Sequence, residues 1–291
     1  MTTIANPFCS EWALHKLIRH RRQFLENSAI QAMNSSQQVQ NYWEERAKDD
    51  NEATSTTNDI YLRQIEQRVL LDKCSEVLNP SILDIGCGDA RTTSFIANSL
   101  PGSQLKGIDY AEQMIANAKS LHYALPNLHL SVANCASGMP DPSFMSAFDI
   151  AYSTRCLINI LEDNQRHNAF QFIHKVLKPG GMYFMVENFM EGHNSFNKIR
   201  ESTGLPPIPV RPHNRFFDQR ELEYITKGLF SIEGSTNISS TYYLATRIVY
   251  SNICNEKGIA PDYQDSHHKF GSQLPFAGDF GPVYLKILKK L

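Results

Sequence analysis

Leu83-Asp84-Ile85-Gly86-Cys87-Gly88-Asp89-Ala90-Arg91 is the stretch that decides the fold. It reads as a buried strand that ends in a glycine turn and opens straight into a helix. Twenty-three residues after Gly86, a second apolar run, Leu105-Lys106-Gly107-Ile108-Asp109, ends in an acid. Glycines in the turn let a ligand approach the backbone without interference from a Cβ. An acid at the tip of the next strand delivers a carboxylate to a ribose diol. The two features together describe a nucleoside site.

The dinucleotide fingerprint needs a third small residue three positions after the second glycine, and Arg91 stands there instead. Asp84 inside the first strand would repel a phosphate but suits a cation. Asp84-Ile85-Gly86-Cys87-Gly88 resembles the first motif of class I S-adenosylmethionine-dependent methyltransferases, whose cofactor carries a sulfonium and no phosphate. Gly107-Ile108-Asp109-Tyr110-Ala111-Glu112-Gln113-Met114 is similar to their second motif. Phe148-Asp149-Ile150-Ala151-Tyr152-Ser153 and Leu177-Lys178-Pro179-Gly180-Gly181 resemble the fourth strand and the turn before the fifth. This resemblance implies that Gly86, Cys87 and Gly88 line the methionine part of S-adenosylmethionine, with Asp84 helping to hold its ammonium. It implies ribose binding by Asp109, and adenine packing by Tyr110 or Met114. Asn134, with Cys135 beside it, falls where the family commonly has an acid reading the adenine amino group. Ser153 falls at the end of the fourth strand, next to the methyl group.

The 291-residue chain is long enough for one sizeable core. We expect an α/β fold, a doubly wound seven-stranded, mostly parallel sheet with an antiparallel last strand. A net charge of −2 gives no global field for nucleic acid. Six cysteines without paired spacing suit a reducing compartment, and no run has the length of a membrane helix or the pattern of a secretory signal. A cytoplasmic protein is expected, without a membrane or nucleic-acid partner; the sequence leaves a homo-oligomer open.

Residues 1–57 read as an N-terminal helical extension and linker, and 58–291 as the catalytic domain. Within 1–48, Trp12, Leu17, Ile18, Phe24 and Leu25 are spaced for one helical face, and the run from His15 to Arg22 is basic. That run is either a docking arm or a solvated face. Tyr42-Trp43-Glu44-Glu45-Arg46-Ala47 resembles the pre-core helix of many small-molecule methyltransferases, which implies an aromatic folding over the cofactor; alternatively Tyr42 and Trp43 dock the helix on the core. Ile60, Leu62, Ile65, Val69, Leu70 and Val77 recur at helical spacing up to Asn79-Pro80. Strands are expected near 81–85, 104–109, 128–133, 148–153, 182–187, 230–238 and 282–289.

In an open α/β sheet the ligand lies beyond the carboxyl ends of the strands. Two connections there, 188–217 and 239–281, are too long for simple turns and are read as lid insertions. The second contains an apolar stripe, Leu244, Ile248, Val249 and Ile253. Candidate general bases are His193, His213 and Glu187, since an alcohol acceptor must lose a proton. Candidate acceptor contacts are Arg155, Asn188, Arg211 and Tyr242. Arg155 could bind a carboxylate or phosphate on the acceptor, or hold the N-terminal helix through a salt bridge. His267 and His268 lack the carboxylate spacing of a metal site, and no metal is expected. The chain also lacks the Asp/Asn-Pro-Pro-aromatic run of nucleobase amine methyltransferases. The function expected is methyl transfer to oxygen or nitrogen of a small molecule or saccharide. The alternatives are a protein or RNA methyltransferase docking through the basic N-terminal segment, and a non-catalytic cofactor-binding regulator.

Overall fold

A computed structural model describes residues 36–48 and 56–291. The apolar face from Trp12 to Leu25, the basic run from His15 to Arg22 and most of the linker lie outside the described residues. Helix α1 is Ser36–Lys48 and α2 is Ile60–Cys74. The core then alternates: β1 Ser81–Ile85, α3 Arg91–Ser99, β2 Gln104–Asp109, α4 Glu112–Leu121, β3 Leu128–Val132, β4 Phe148–Thr154, α5 Asp163–Val176 and β5 Leu177–Asn188. After it come α6 Met190–Ser202, α7 Gln219–Thr226, β6 Phe230–Asn237 and a helical stretch made of α8 Ser240–Tyr243, a π turn Leu244–Val249 and α9 Tyr250–Glu256. Helix α10 Ser266–Gly271 and β7 Val283–Lys290 complete the chain.

The sheet order is β3-β2-β1-β4-β5-β7-β6, and of the described strands only β7 runs against its neighbours. The central strands β1, β4 and β5 bury both faces and read as nearly continuous apolar runs, whereas the edge strands β3 and β6 are largely half-buried or exposed. Along β5 the alternation is explicit: Tyr183 and Met185 enter the layer beneath α5 and α7, while Phe184 and Val186 enter the layer beneath α2 and α3. The order reverses between β1 and β4, which opens a crevice at their carboxyl ends. Among the described residues no helix is long and apolar enough to cross a membrane.

The seven expected strands are present within a few residues of their expected limits, β5 excepted. It begins at Leu177, so the Lys178–Gly181 turn is a bulge in the strand, marked by a register shift opposite Phe148 and Ile150. Helix α2 stops at Cys74, short of the expected Asn79-Pro80 stop. Val77 is exposed, and Asn79 takes a left-handed φ of 47° that turns the chain into β1. The apolar stripe from Leu244 to Ile253 also differs from expectation. A π turn changes the angular step per residue, so Ile248 is buried while Leu244 and Val249 face outward.

Candidate active site

The crevice begins at the turn after β1. Gly86 and Gly88 have φ of +72° and +54°, where a side chain is strained. A Cβ on Gly86 would lie 2.1 Å from Cys156 Sγ, so the turn is packed as well as bent. The Gly86 and Cys87 amides donate to the Ile108 carbonyl at 2.8 and 3.0 Å, which locks the turn to the tip of β2. There Asp109 accepts from the Gly88 amide at 2.9 Å through Oδ2 and from the Ala111 amide at 2.9 Å through Oδ1. Each oxygen keeps acceptor capacity for a further donor. Burial raises the Asp109 carboxyl against those amide bonds. Asp84 lies beneath the turn and accepts from Thr93 Oγ1 at 2.6 Å and Tyr152 OH at 2.9 Å; burial pushes its carboxyl up to about 7.

Helix α1 covers this half. Glu44 caps α4 by accepting from the Glu112 and Gln113 amides at 2.9 and 3.3 Å, and Asn117 Nδ2 donates to the Ala47 carbonyl at 2.7 Å. Trp43 and Tyr110 pack with Met114, Ala111 and Ala47, giving an apolar wall beside Asp109. Tyr42 stacks on His213 with ring centroids 4.3 Å apart. Both aromatics therefore serve the cavity wall and dock the helix at once.

The other half is built on the tips of β4 and β5. Arg155 has a left-handed φ of 48°, held by its amide donating to Val186 at 2.8 Å and its carbonyl accepting from Asn159 Nδ2 at 3.0 Å. This directs its guanidinium to the fully buried Glu66 of α2, with Nε–Oε1 2.8 Å and Nη2–Oε2 3.1 Å. The structure supplies a salt bridge, but to α2 of the core and not to the N-terminal helix that the sequence suggested. Glu187 sits beneath the same turn. It accepts from Ser153 Oγ at 2.8 Å and from the Cys156, Leu157 and Ile158 amides at 3.1, 2.9 and 3.4 Å. Burial still pushes its carboxyl up to about 7.

The insertions supply the roof. His193 lies on α6, not in a loop, and its Nε2 meets Asn197 Nδ2 at 3.2 Å. Asn197 also clasps Ile208, accepting from its amide at 2.9 Å and donating to its carbonyl at 3.0 Å. Burial lowers the His193 pKa. Burial, with repulsion from Arg211 and Arg46, pushes His213 down to about 4, so its ring is neutral in ordinary buffers. In the second insertion Tyr242 OH is committed to Asp59 Oδ1 at 2.5 Å and His268 Nδ1 at 2.8 Å. Arg247 pairs with Asp59 as well, and its guanidinium lies 4.2 Å from the Tyr243 ring centre.

These parts line one half-open cavity of about 330 Å³ that runs from Asp109 across the glycine turn to Asn188 and the roof. Residues 82–181, from β1 into β5, match a family model described as a methyltransferase domain. The chain carries a class I S-adenosylmethionine-dependent methyltransferase domain. It is 25% identical over 171 residues to an O-methyltransferase, resE, of Aspergillus sclerotiorum, covering 57% of this chain and 61% of that one. It is 27% identical over 154 residues to a trans-aconitate 2-methyltransferase of Delftia acidovorans, covering 50% and 54%. The chain thus spans little more than half the length of these relatives. Among solved structures, the PH0226 protein of Pyrococcus horikoshii OT3 shares the fold, with TM-score 0.52 and 16% identity over 79% of this chain and 91% of that one.

S-adenosylmethionine fits the residues of the methyltransferase domain. A carboxylate with spare acceptor capacity stands at the tip of β2, Gly86 and Gly88 bend the turn beside it with left-handed φ, and an apolar wall stands next to them. Asp109 would take the ribose, Gly86 to Gly88 the methionine part, and Tyr110 and Met114 the adenine. All these residues line the cavity, with Asp84, Cys87, Arg155, Asn188, His193, Arg211 and His213.

Six expected contacts are corrected. Asn134 spends its side-chain oxygen on the Ala136 amide at 2.9 Å and faces a separate cleft. Cys135 is buried in the core beneath α5. Neither lines the cavity, so the adenine amino group has no reader in that stretch. Ser153 and Glu187 lie under the β4 turn, bonded to one another, and do not line the cavity. Tyr242 is turned to Asp59, and its neighbour Tyr243 lines the cavity instead. Arg155, though on the wall, is matched by Glu66 rather than free for an acceptor. Sequence reasoning missed Asp59, Glu66 and Arg247, whose partners lie 89 or more positions away. The Asp59 N-cap of α2 was the one local signal available. Among the described residues no group of three or more His, Cys, Asp or Glu is placed to hold a metal.

Proposed function

We propose that the protein is an S-adenosylmethionine-dependent methyltransferase acting on oxygen or nitrogen of an enclosed small molecule, a saccharide included. One observation carries this reading: the nucleoside half and the roofed half belong to a single cavity, so a cofactor on Asp109 and an acceptor under the roof share one continuous space. The small-molecule activities named for the relatives accord with it. The free thiols Cys74, Cys87, Cys135, Cys156 and Cys254 suit a cytoplasmic setting.

When bound, S-adenosylmethionine supplies a methyl carbon already activated by its sulfonium. The protein's work is then alignment and exclusion of water. Tyr42, Phe196, Phe216 and Tyr243 give the acceptor an apolar enclosure. The bound cofactor would supply the methyl carbon and take up the carbon–sulfur electron pair, while the acceptor would give up a proton that a residue of this chain must take. His193 is the base we assign to that proton. It is on the wall and is kept neutral by burial, whereas His213 is too weakly basic and Glu187 is enclosed.

The test is transfer of labelled methyl from S-adenosylmethionine into cell extract separated into small-molecule, glycan, RNA and protein fractions. Asp109→Ala serves as the blank. Label in the small-molecule or glycan fraction is expected. Label in RNA or protein would refute the enclosed acceptor, and cofactor binding without transfer anywhere would refute the enzyme.

A further inference from the structure

Arg63 of α2 lines the cavity and is only 8% exposed, yet among the described residues its guanidinium has no ion pair. The acids near it are taken: Glu66 pairs with Arg155, and Asp89 with Arg91. Its one side-chain hydrogen bond among the described residues runs from Nη2 to Thr56 Oγ1 at 3.0 Å, so Nε and Nη1 are left to the cavity. Burial lowers its pKa; Asp89 and Glu66 oppose that fall, while Arg155 and Arg91 add to it. A buried cation without an ion pair is costly to the free protein, and an anion that enters beside it offsets the cost.

Two hydroxyls stand with this guanidinium. Thr56 Oγ1 accepts from Arg63, and Thr57 Oγ1 accepts from the Asp59 amide at 3.2 Å, so each hydroxyl keeps its proton to donate. Both threonines line the cavity. They also meet the glycine turn, since a Cβ on Gly88 would lie 2.9 Å from Thr56 Cγ2. A guanidinium fork and two hydroxyl donors at the end of that turn match a carboxylate. A phosphate dianion suits the place less well, because Asp84, Asp89 and Asp109 line the same cavity.

Resting on the reading proposed above, we infer that Arg63, with Thr56 and Thr57, is the seat of a ligand carboxylate. Two ligands can bring one: the cofactor through its amino-acid arm, assigned to Gly86 to Gly88, and an acidic acceptor. The contact at Gly88 favours the cofactor. Residues ahead of β1 then complete the methionine end of the site, as Asp109 completes its ribose end.

The experiment titrates the full-length protein, and its Arg63→Gln and Arg63→Lys variants, by calorimetry with two ligands. One is S-adenosylhomocysteine; the other is its decarboxylated analogue, which keeps the ammonium. Wild type should bind the first about thirtyfold more tightly than the second. Arg63→Gln should erase that preference by weakening S-adenosylhomocysteine alone, with Arg63→Lys in between. If the acceptor fills the seat instead, S-adenosylhomocysteine affinity stays unchanged in both variants. Arg63→Gln then loses transfer of labelled methyl to the acidic small molecules of cell extract, divided beforehand by anion exchange, and keeps transfer to neutral ones. Equal losses with both ligands, or no change in either assay, would overturn the seat. Absence of transfer by wild type is the separate failure of the transferase reading; the titrations need no turnover and then decide alone.

Discussion

The two halves of the cavity are built by opposite means. The nucleoside half comes from two neighbouring strand tips, Gly86 to Gly88 and Asp109, tied by backbone amides. The acceptor half is gathered from α1, the turn after β4, the tip of β5 and both insertions, and is held by side chains distant in sequence. Backbone-built sites tolerate little variation in composition. Side-chain-built sites can be rewritten one residue at a time, so one cofactor half can serve many acceptors.

The sharpest way to break the contrast is Asp109→Ala. Loss of two charge-assisted hydrogen bonds to the ribose should cost about 4 kcal/mol, roughly a thousandfold in affinity for S-adenosylhomocysteine by calorimetric titration. Gly86→Ala should remove about 3 kcal/mol of folding stability in urea melts, from left-handed strain and the clash with Cys156. A comparable acceptor-half change, Phe216→Leu, should leave the melt within about 1 kcal/mol.

Glu187 tests the support beneath the β4 turn. Its carboxyl is raised in the folded state from an ordinary value of 4.5 to about 7. The stability contributed by the neutral acid is therefore complete below pH 4.5 and is lost as pH climbs to about 7. Relative to Glu187→Gln, the wild type should lose about 3 kcal/mol across that window in denaturant titrations. A constant difference would refute the shift.

His193→Ala should lower kcat/KM about a hundredfold and abolish its rise with pH through a pKa below 6.5. Asn197→Ala, which loosens the clasp on Ile208, should slow the enzyme with that rise retained. The smallest effect belongs to His213→Phe: the stack on Tyr42 survives and the lost ring titrates only near 4, so the change should stay within about threefold above pH 6.

The same contrast explains what could be read from the chain. The positions of the strands along the chain were legible because the central ones are short, mostly apolar runs bounded by turn residues. Gly86, Gly88 and Asp109 were legible because local geometry dictates their types. Glu66 was not, since a glutamate at helical spacing on α2 reads as solvated until Arg155 is brought to it. Asn134 misled for the converse reason: its position in the chain suits adenine, but its oxygen prefers a turn amide two residues on. Glu187 was located correctly on β5 yet faces the turn below the cavity, an orientation that sequence spacing does not convey.

Cys156 Sγ occupies the space that a side chain on Gly86 would need, and Cys156 belongs to the turn that carries Arg155 and Asn159. The two loops are therefore in van der Waals contact through Cys156. Fixing one restricts the other, so the entropy of ordering both is lost largely at the first binding event. The coupling is reciprocal: whichever ligand binds first makes the second bind more readily.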